Sequence, residues 1–203
     1  MNNKITQDTI ANAKHLKELN IGIPPYHEVF YYHSILYTAE CSVRAFEFYE
    51  HLLTLKDVDP IQIVGAIQEA IGHAGALAFY FWNTGGSSRL PNEVKEFIKI
   101  RSEYLKKEFN LNDSSPIKNR AIRNTFEHFD EKIDIFLLNT MAGTFFPTPV
   151  IQSHCTIEEE QVSKYFKLLD IEEKCLVLFN QKFFFEDIEK EVNKIYKIAR
   201  YKI

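Results

Sequence analysis

Between Tyr26 and Leu55 two seven-residue registers interleave: Val29, Leu36 and Val43 in one, Tyr32, Ala39, Phe46 and Leu53 in the other. Apolar side chains spaced in this way occupy one side of a long helix and require helical neighbours to bury them. The rest of the chain supplies candidates. Asp59-Pro60 is a cap followed by a proline at the first helical position, which predicts a second helix running to about Trp82. Gly65, Gly72, Ala74, Gly75, Ala76 and Ala78 leave that helix little bulk, so a neighbouring helix can approach it closely. Pro91 opens a third helix through about Phe109. A fourth is predicted from Pro116 to about Met141, with Ser115 as N-cap and one apolar stripe at Ile122, Phe126, Phe129, Ile133, Phe136 and Thr140. Gly143, Pro147 and Pro149 end it.

Beyond Met141 the pattern changes. Tyr165 to Asp170, Cys175 to Phe179 and Lys182 to Phe185 read as short strands, with Asn180-Gln181 as a tight turn between the last two. Glu186 to Tyr201 reads as a closing helix, with apolar spacing at Ile188, Val192, Ile195 and Ala199. Before the long helix, Ile5, Ile10, Leu16 and Leu19 form a weak amphipathic patch that stops at Gly22-Ile23-Pro24-Pro25. The expected fold is mainly α: an antiparallel helical bundle over residues 26–142, an N-terminal extension over 1–25, and a C-terminal α+β appendage over 143–203 with a hairpin or small sheet plus a helix. A chain of 203 residues with 45% hydrophobic content is ample for one cored domain.

One stretch concentrates chemistry: Arg123-Asn124-Thr125-Phe126-Glu127-His128. At about 100° per residue, Asn124 and His128 lie one turn apart, away from the Phe126/Phe129 stripe, with Arg123 on a flank. A histidine suits general acid or base work because its ordinary pKa is near ~6.5. A guanidinium, always charged and fork-shaped, suits the oxygens of a phosphate on which negative charge grows. An amide can orient the imidazole or bond a phosphate oxygen.

An arginine, a polar residue directly after it and a histidine at i+5, all within helices, resemble the ribonuclease motif of the HEPN superfamily (higher eukaryote and prokaryote nucleotide-binding helical domains). The resemblance covers about residues 26–141, and the six-residue motif is its specific signature. It implies metal-independent RNA cleavage by attack of the 2′-OH on the adjacent phosphate, with Arg123 and His128 catalytic and Asn124 supporting. It also implies a homodimer whose paired motifs share one cleft. That fits the helix geometry, since Arg123 and His128 project about 140° apart on one ideal helix. A toxin or anti-phage effector role, with an antitoxin or sensor partner, is a further implication. The competing expectation is a non-enzymatic helical module that binds a protein or nucleotide. The carboxylates of Glu127, Asp130 and Glu131 beside the motif favour it.

Composition narrows the remaining classes. Net charge is −4 with a sequence pI near 6.0, which leaves room for a local basic cleft rather than a broad nucleic-acid surface. Three widely spaced cysteines, Cys41, Cys155 and Cys175, suggest reduced thiols in a cytoplasmic protein. The longest apolar run, Ala76 to Trp82, is too short to span a bilayer, so no membrane partner is expected. No cofactor or metal is expected either. Glu47/His51 and Glu69/His73 are spaced by four, and a di-iron bundle needs Glu-x-x-His. His27-Glu28 has Tyr31 where a zincin needs its second histidine. The loop Asn83 to Ser88 is Gly-rich but no Gly-Lys-Ser/Thr follows, so a mobile loop is expected, with Arg89 beside it as a candidate phosphate contact. His154-Cys155 are sequence neighbours and rarely form a nucleophile–base pair, so they are discounted. Tyr31-Tyr32-His33 and Phe183-Phe184-Phe185 read as packing rather than base-stacking platforms.

Overall fold

The computed structural model describes residues 5–83, 89–139, 146–158, 161 and 164–203, with the backbone alone at 120, 122 and 123. The fold is mainly helical, with a four-stranded sheet toward the C-terminus. Its helices are α1 (Gln7–Glu18), α2 (Pro25–Thr54), α3 (Pro60–Phe81), α4 (Asn92–Glu108), α5 (Arg120–Glu127), α6 (Phe129–Asn139) and α7 (Glu186–Tyr201). None of them is long and apolar enough to cross a membrane.

The long helix α2 uses the predicted registers. Tyr32, Ala39, Val43 and Phe46 are buried, Leu36 and Leu53 pack half-buried against the same core, and Val29 at the first turn is exposed. Against it lies α3, started by Asp59, whose Oδ1 accepts the Ile61 amide at 2.9 Å, and by Pro60. The two helices come close enough for the Ser42 hydroxyl to donate to the Ala70 carbonyl at 2.8 Å. Ala66, Ala70 and Ala74, buried in the shared core, leave room for that approach. The same reading does not extend to Gly65 and Gly72. A Cβ at Gly65 would meet nothing within 4 Å, and one at Gly72 would meet the Phe126 ring at an ordinary 3.8 Å.

The N-terminal patch is a full helix. The Thr6 hydroxyl accepts the Thr9 amide at 3.2 Å in a capping box that starts α1. Lys17 then pairs with Glu96 of α4.

The fourth helix differs from expectation. Ser115 makes no cap hydrogen bond, Pro116–Lys118 is one 3₁₀ turn, and Asn119 caps α5 through Oδ1 and the Ala121 amide at 2.9 Å. The helix then breaks at His128, where φ −120° and ψ 43° leave the helical region. The cause lies in packing. Phe126 turns toward α3 at Gly72, whereas Phe129 and Phe136 join Phe166 and Phe179. One straight stripe cannot serve both surfaces. Thr140 to Gly143 lie outside the described residues.

The sheet runs β1 (Val150–Ile151), β2 (Lys167–Asp170), β3 (Cys175–Leu178), β4 (Gln181–Phe184) in that order. β1 is parallel to β2 and the other pairs are antiparallel. β1 has two residues, too few for alternation to reveal it in the sequence. The hairpin turn falls at Phe179-Asn180, one residue earlier than expected, with both φ values positive at 49° and 66°. Left-handed phenylalanine is strained. Packing of its ring against Phe129, Phe136 and Phe166 offsets the strain. Leu169, Leu176, Leu178 and Phe183 face the helices, and α7 adds Ile188, Val192, Ile195 and Ala199 to that same core. The bundle helices and the C-terminal sheet and helix thus share one hydrophobic interior. Leu168, Cys175 and Val177 form a second, smaller cluster on the other face, beside Ile157 and Tyr165.

Candidate functional site

The motif sits on a helix held from two sides. Thr125 is fully buried and its hydroxyl donates to Gln181 Oε1 at 2.9 Å, while Phe126 packs toward α3. With those two positions turned inward, Asn124 and His128 are left exposed. The break does not separate them: the His128 amide donates to the Asn124 carbonyl at 3.1 Å, and the Lys132 amide to the His128 carbonyl at 3.0 Å. Asn124 therefore lies one turn below His128, as the sequence predicts. The His128 ring is 55% exposed and its Nδ1 stands 3.6 Å from Glu131 Oε2. That is ion-pair distance, too long for a hydrogen bond. The carboxylate thus lies on the Nδ1 side of the ring. Arg123 belongs to α5 by its backbone, and its side chain lies outside the described residues. Glu127, Asp130 and Glu131, which flank His128 in the sequence, are all exposed.

Phe126 also forms one wall of an open cleft of about 500 Å³ between α3 and the sheet, shared with Gln68, Gly72, His73 and Lys167. Lys167 donates from Nζ to Gln68 Oε1 at 2.9 Å and lies 5.3 Å from the ring centres of Phe129 and Phe166. Burial lowers its pKa from the ordinary lysine value. His73 Nε2 stands 3.7 Å from Glu69 Oε1, the i,i+4 pair expected from spacing. Sequence reasoning missed Lys167, because only the packing of β2 against α3 gives that lysine its setting. A second cleft of about 490 Å³, lined by Trp82, Lys99, Lys106, Asp113 and Lys118 among others, includes none of the motif residues. Its lysines are largely neutralised: Lys118 pairs with Asp113 at 3.0 Å and Lys106 with Glu103 at 2.7 Å.

The aromatic clusters are packing in part: Tyr31 is half-buried against the core, while His33 is exposed. Tyr32, Phe183 and Phe185 are buried, and only Phe184 of that triplet is exposed. The loop at 84–88 lies outside the described residues. His154 and Cys155, discounted as sequence neighbours, are in contact and lie against Asp170. Among the described residues they form one group whose potential ligand atoms all lie within 4.8 Å of one another.

Comparison with protein-family models, with curated proteins and with solved structures gives no match to this chain.

Proposed function

We propose that this chain is a metal-independent endoribonuclease of the HEPN type that works as a homodimer. The observation that carries the reading is the pairing of Asn124 and His128, one turn apart and open to solvent on a helix locked from behind by Thr125 and Phe126. His128 takes the proton from a ribose 2′-OH as the 2′-oxygen bonds to the adjacent phosphorus. The 5′-oxygen leaves with a proton supplied by an acid, for which the partner's copy of the same imidazole is suited. Arg123 neutralises the phosphate oxygens and Asn124 holds the imidazole or an oxygen. The products are a 2′,3′-cyclic phosphate and a 5′-hydroxyl.

A second reading, a binding module without catalysis, is favoured by the exposed carboxylates of Asp130 and Glu131 beside His128, which repel phosphate. One experiment separates them. Purified protein is incubated with RNA in EDTA, alongside His128→Ala and Arg123→Ala, with circular dichroism and sedimentation as controls. Cleavage by wild type alone supports the nuclease. Intact RNA in all three samples, with folded protein throughout, supports the binding module.

A further inference from the structure

Where the chain leaves β1 it crosses the end of β2. Gln152 donates its amide to the Leu169 carbonyl at 3.0 Å, and residues His154–Thr156 then form a single 3₁₀ turn beside Asp170. Asp170 is fully buried, and both its oxygens are engaged. Oδ2 accepts the His154 amide at 2.8 Å, the His154 ring Nδ1 at 2.7 Å and the Ser153 hydroxyl at 3.1 Å. Oδ1 accepts the Glu173 amide at 3.0 Å. Burial alone would push this carboxyl's pKa up; the donated hydrogen bonds outweigh it and hold the pKa below the ordinary aspartate value.

An ionised carboxylate only accepts, so the proton between it and the imidazole sits on Nδ1. In the neutral ring, Nε2 is then a bare acceptor. It faces the Cys155 sulfur at 3.9 Å. His154 is itself buried, 8% exposed, with the Phe184 ring edge-on at 6.0 Å, so its orientation is fixed. Cys155, by contrast, is exposed. Three donors converge on Asp170 Oδ2, the oxygen that meets the imidazole, and Oδ1 takes the Glu173 amide. Its arrangement is that of a group that orients an imidazole toward a nucleophile.

We propose that Cys155 and His154 form an activated thiol pair, oriented by Asp170, that reacts with small soft electrophiles of the peroxide class. The thiol proton passes to Nε2, and the imidazolium is stabilised by the Asp170 carboxylate. The thiolate sulfur attacks one peroxide oxygen, forming an S–O bond as the O–O bond breaks. The departing oxygen takes the imidazolium proton and leaves as water or an alcohol, and Cys155 becomes a sulfenic acid. Cys175, in register with Asp170 on β3, is the inert contrast. It is fully buried, and that burial, with the negative charge of Asp170, pushes its thiol up to about 11, the nearby Lys182 only partly opposing. This site uses none of the motif residues and stands independently of the nuclease reading.

The test is thiol alkylation by iodoacetamide in EDTA, followed by mass spectrometry of the Cys155 peptide in the full chain. At pH 7 wild-type Cys155 is expected to react about tenfold faster than N-acetylcysteine. In His154→Gln, with unchanged circular dichroism, the advantage disappears at pH 7, and the two proteins converge at pH 10, where any exposed thiol is ionised. Hydrogen peroxide should give a dimedone-trappable product on Cys155 and none on Cys175. A wild-type rate equal to that of N-acetylcysteine at pH 7, or a rate unaltered by His154→Gln, overturns the proposal. Should His154→Gln not fold, the wild-type rate against N-acetylcysteine from pH 5 to 10 decides it alone.

Discussion

Thr125 donates its hydroxyl proton to Gln181 Oε1 at 2.9 Å, and this pair ties the motif helix α5 to the first residue of β4. Thr125 is fully buried, one residue from Asn124. Valine keeps the shape and removes the donor. Thr125→Val should cost about 1–2 kcal/mol in chemical denaturation, because the Gln181 oxygen loses its partner in a half-buried setting. An unchanged denaturation midpoint would mean that water replaces the hydroxyl without loss.

The hairpin turn offers a paired test. Asn180 and Phe179 both hold positive φ. Asn180→Gly should leave stability unchanged or raise it by up to ~1 kcal/mol, since glycine adopts that backbone freely. Phe179→Gly relieves the same strain yet removes a ring packed against Phe129, Phe136 and Phe166. Its net effect should be a loss of about 2–4 kcal/mol. If both substitutions stabilise, the aromatic cluster contributes less than the backbone strain costs.

Gly22 is confined by a neighbour rather than by its backbone. A Cβ there would stand 2.4 Å from Tyr104 Cβ, an atom too near the α4 backbone to swing away. Tyr104 is also held by its hydrogen bond to Glu28. Gly22→Ala should therefore lower thermal stability by about 1–3 kcal/mol through overpacking at the α1–α2 junction. A variant as stable as wild type would show that α4 yields at this contact.

Asp170 should govern an acid limb of stability. Its pKa is depressed in the folded chain, so its stabilisation is complete above the unfolded value, near ~3.9, and fades as pH falls through the lower folded value. Asp170→Asn should melt well below wild type at pH 6–7. The gap should narrow as pH falls below about 4, because the unfolded wild-type chain then takes up a proton that the folded carboxyl resists. A gap independent of pH would assign the loss to shape rather than charge.

What the sequence revealed follows from how local the cause is. The α2 registers, the Asp59-Pro60 start of α3 and the apolar spacing of α7 are short-range patterns, and each marks an element close to its bounds. Asn124 and His128 fall one turn apart because helical geometry alone sets that spacing. The break at His128 was not legible, since nothing local demands it; Phe126 and Phe129 are drawn to different surfaces. The turn at Phe179 hid for the same reason, a buried ring overruling the glycine or asparagine preference of the backbone. Asp170 meets His154 only because a two-residue parallel strand brings residues 16 apart together. Adjacency in sequence does not by itself pair His154 with Cys155; Asp170, distant in the chain, orients the ring.

The dimer in the proposed function has a surface that can be challenged directly. α6 buries Phe136 and packs Phe129 and Ile133 against the core, while Ile135, Leu137 and Leu138 are 53%, 52% and 70% exposed. Ile135 lies on α6, seven residues past His128 at the break between α5 and α6. Exposed aliphatic side chains on the helix that follows the motif fit a second copy of the chain better than water. Ile135→Glu with Leu138→Glu should convert a dimer to a monomer in sedimentation velocity without lowering the melting temperature, since neither side chain belongs to the interior. If two copies complete one cleft, the same variant loses RNA cleavage although Arg123, Asn124 and His128 are all present. Cleavage that persists in the monomer would place the whole reaction on one chain and remove the need for a shared site.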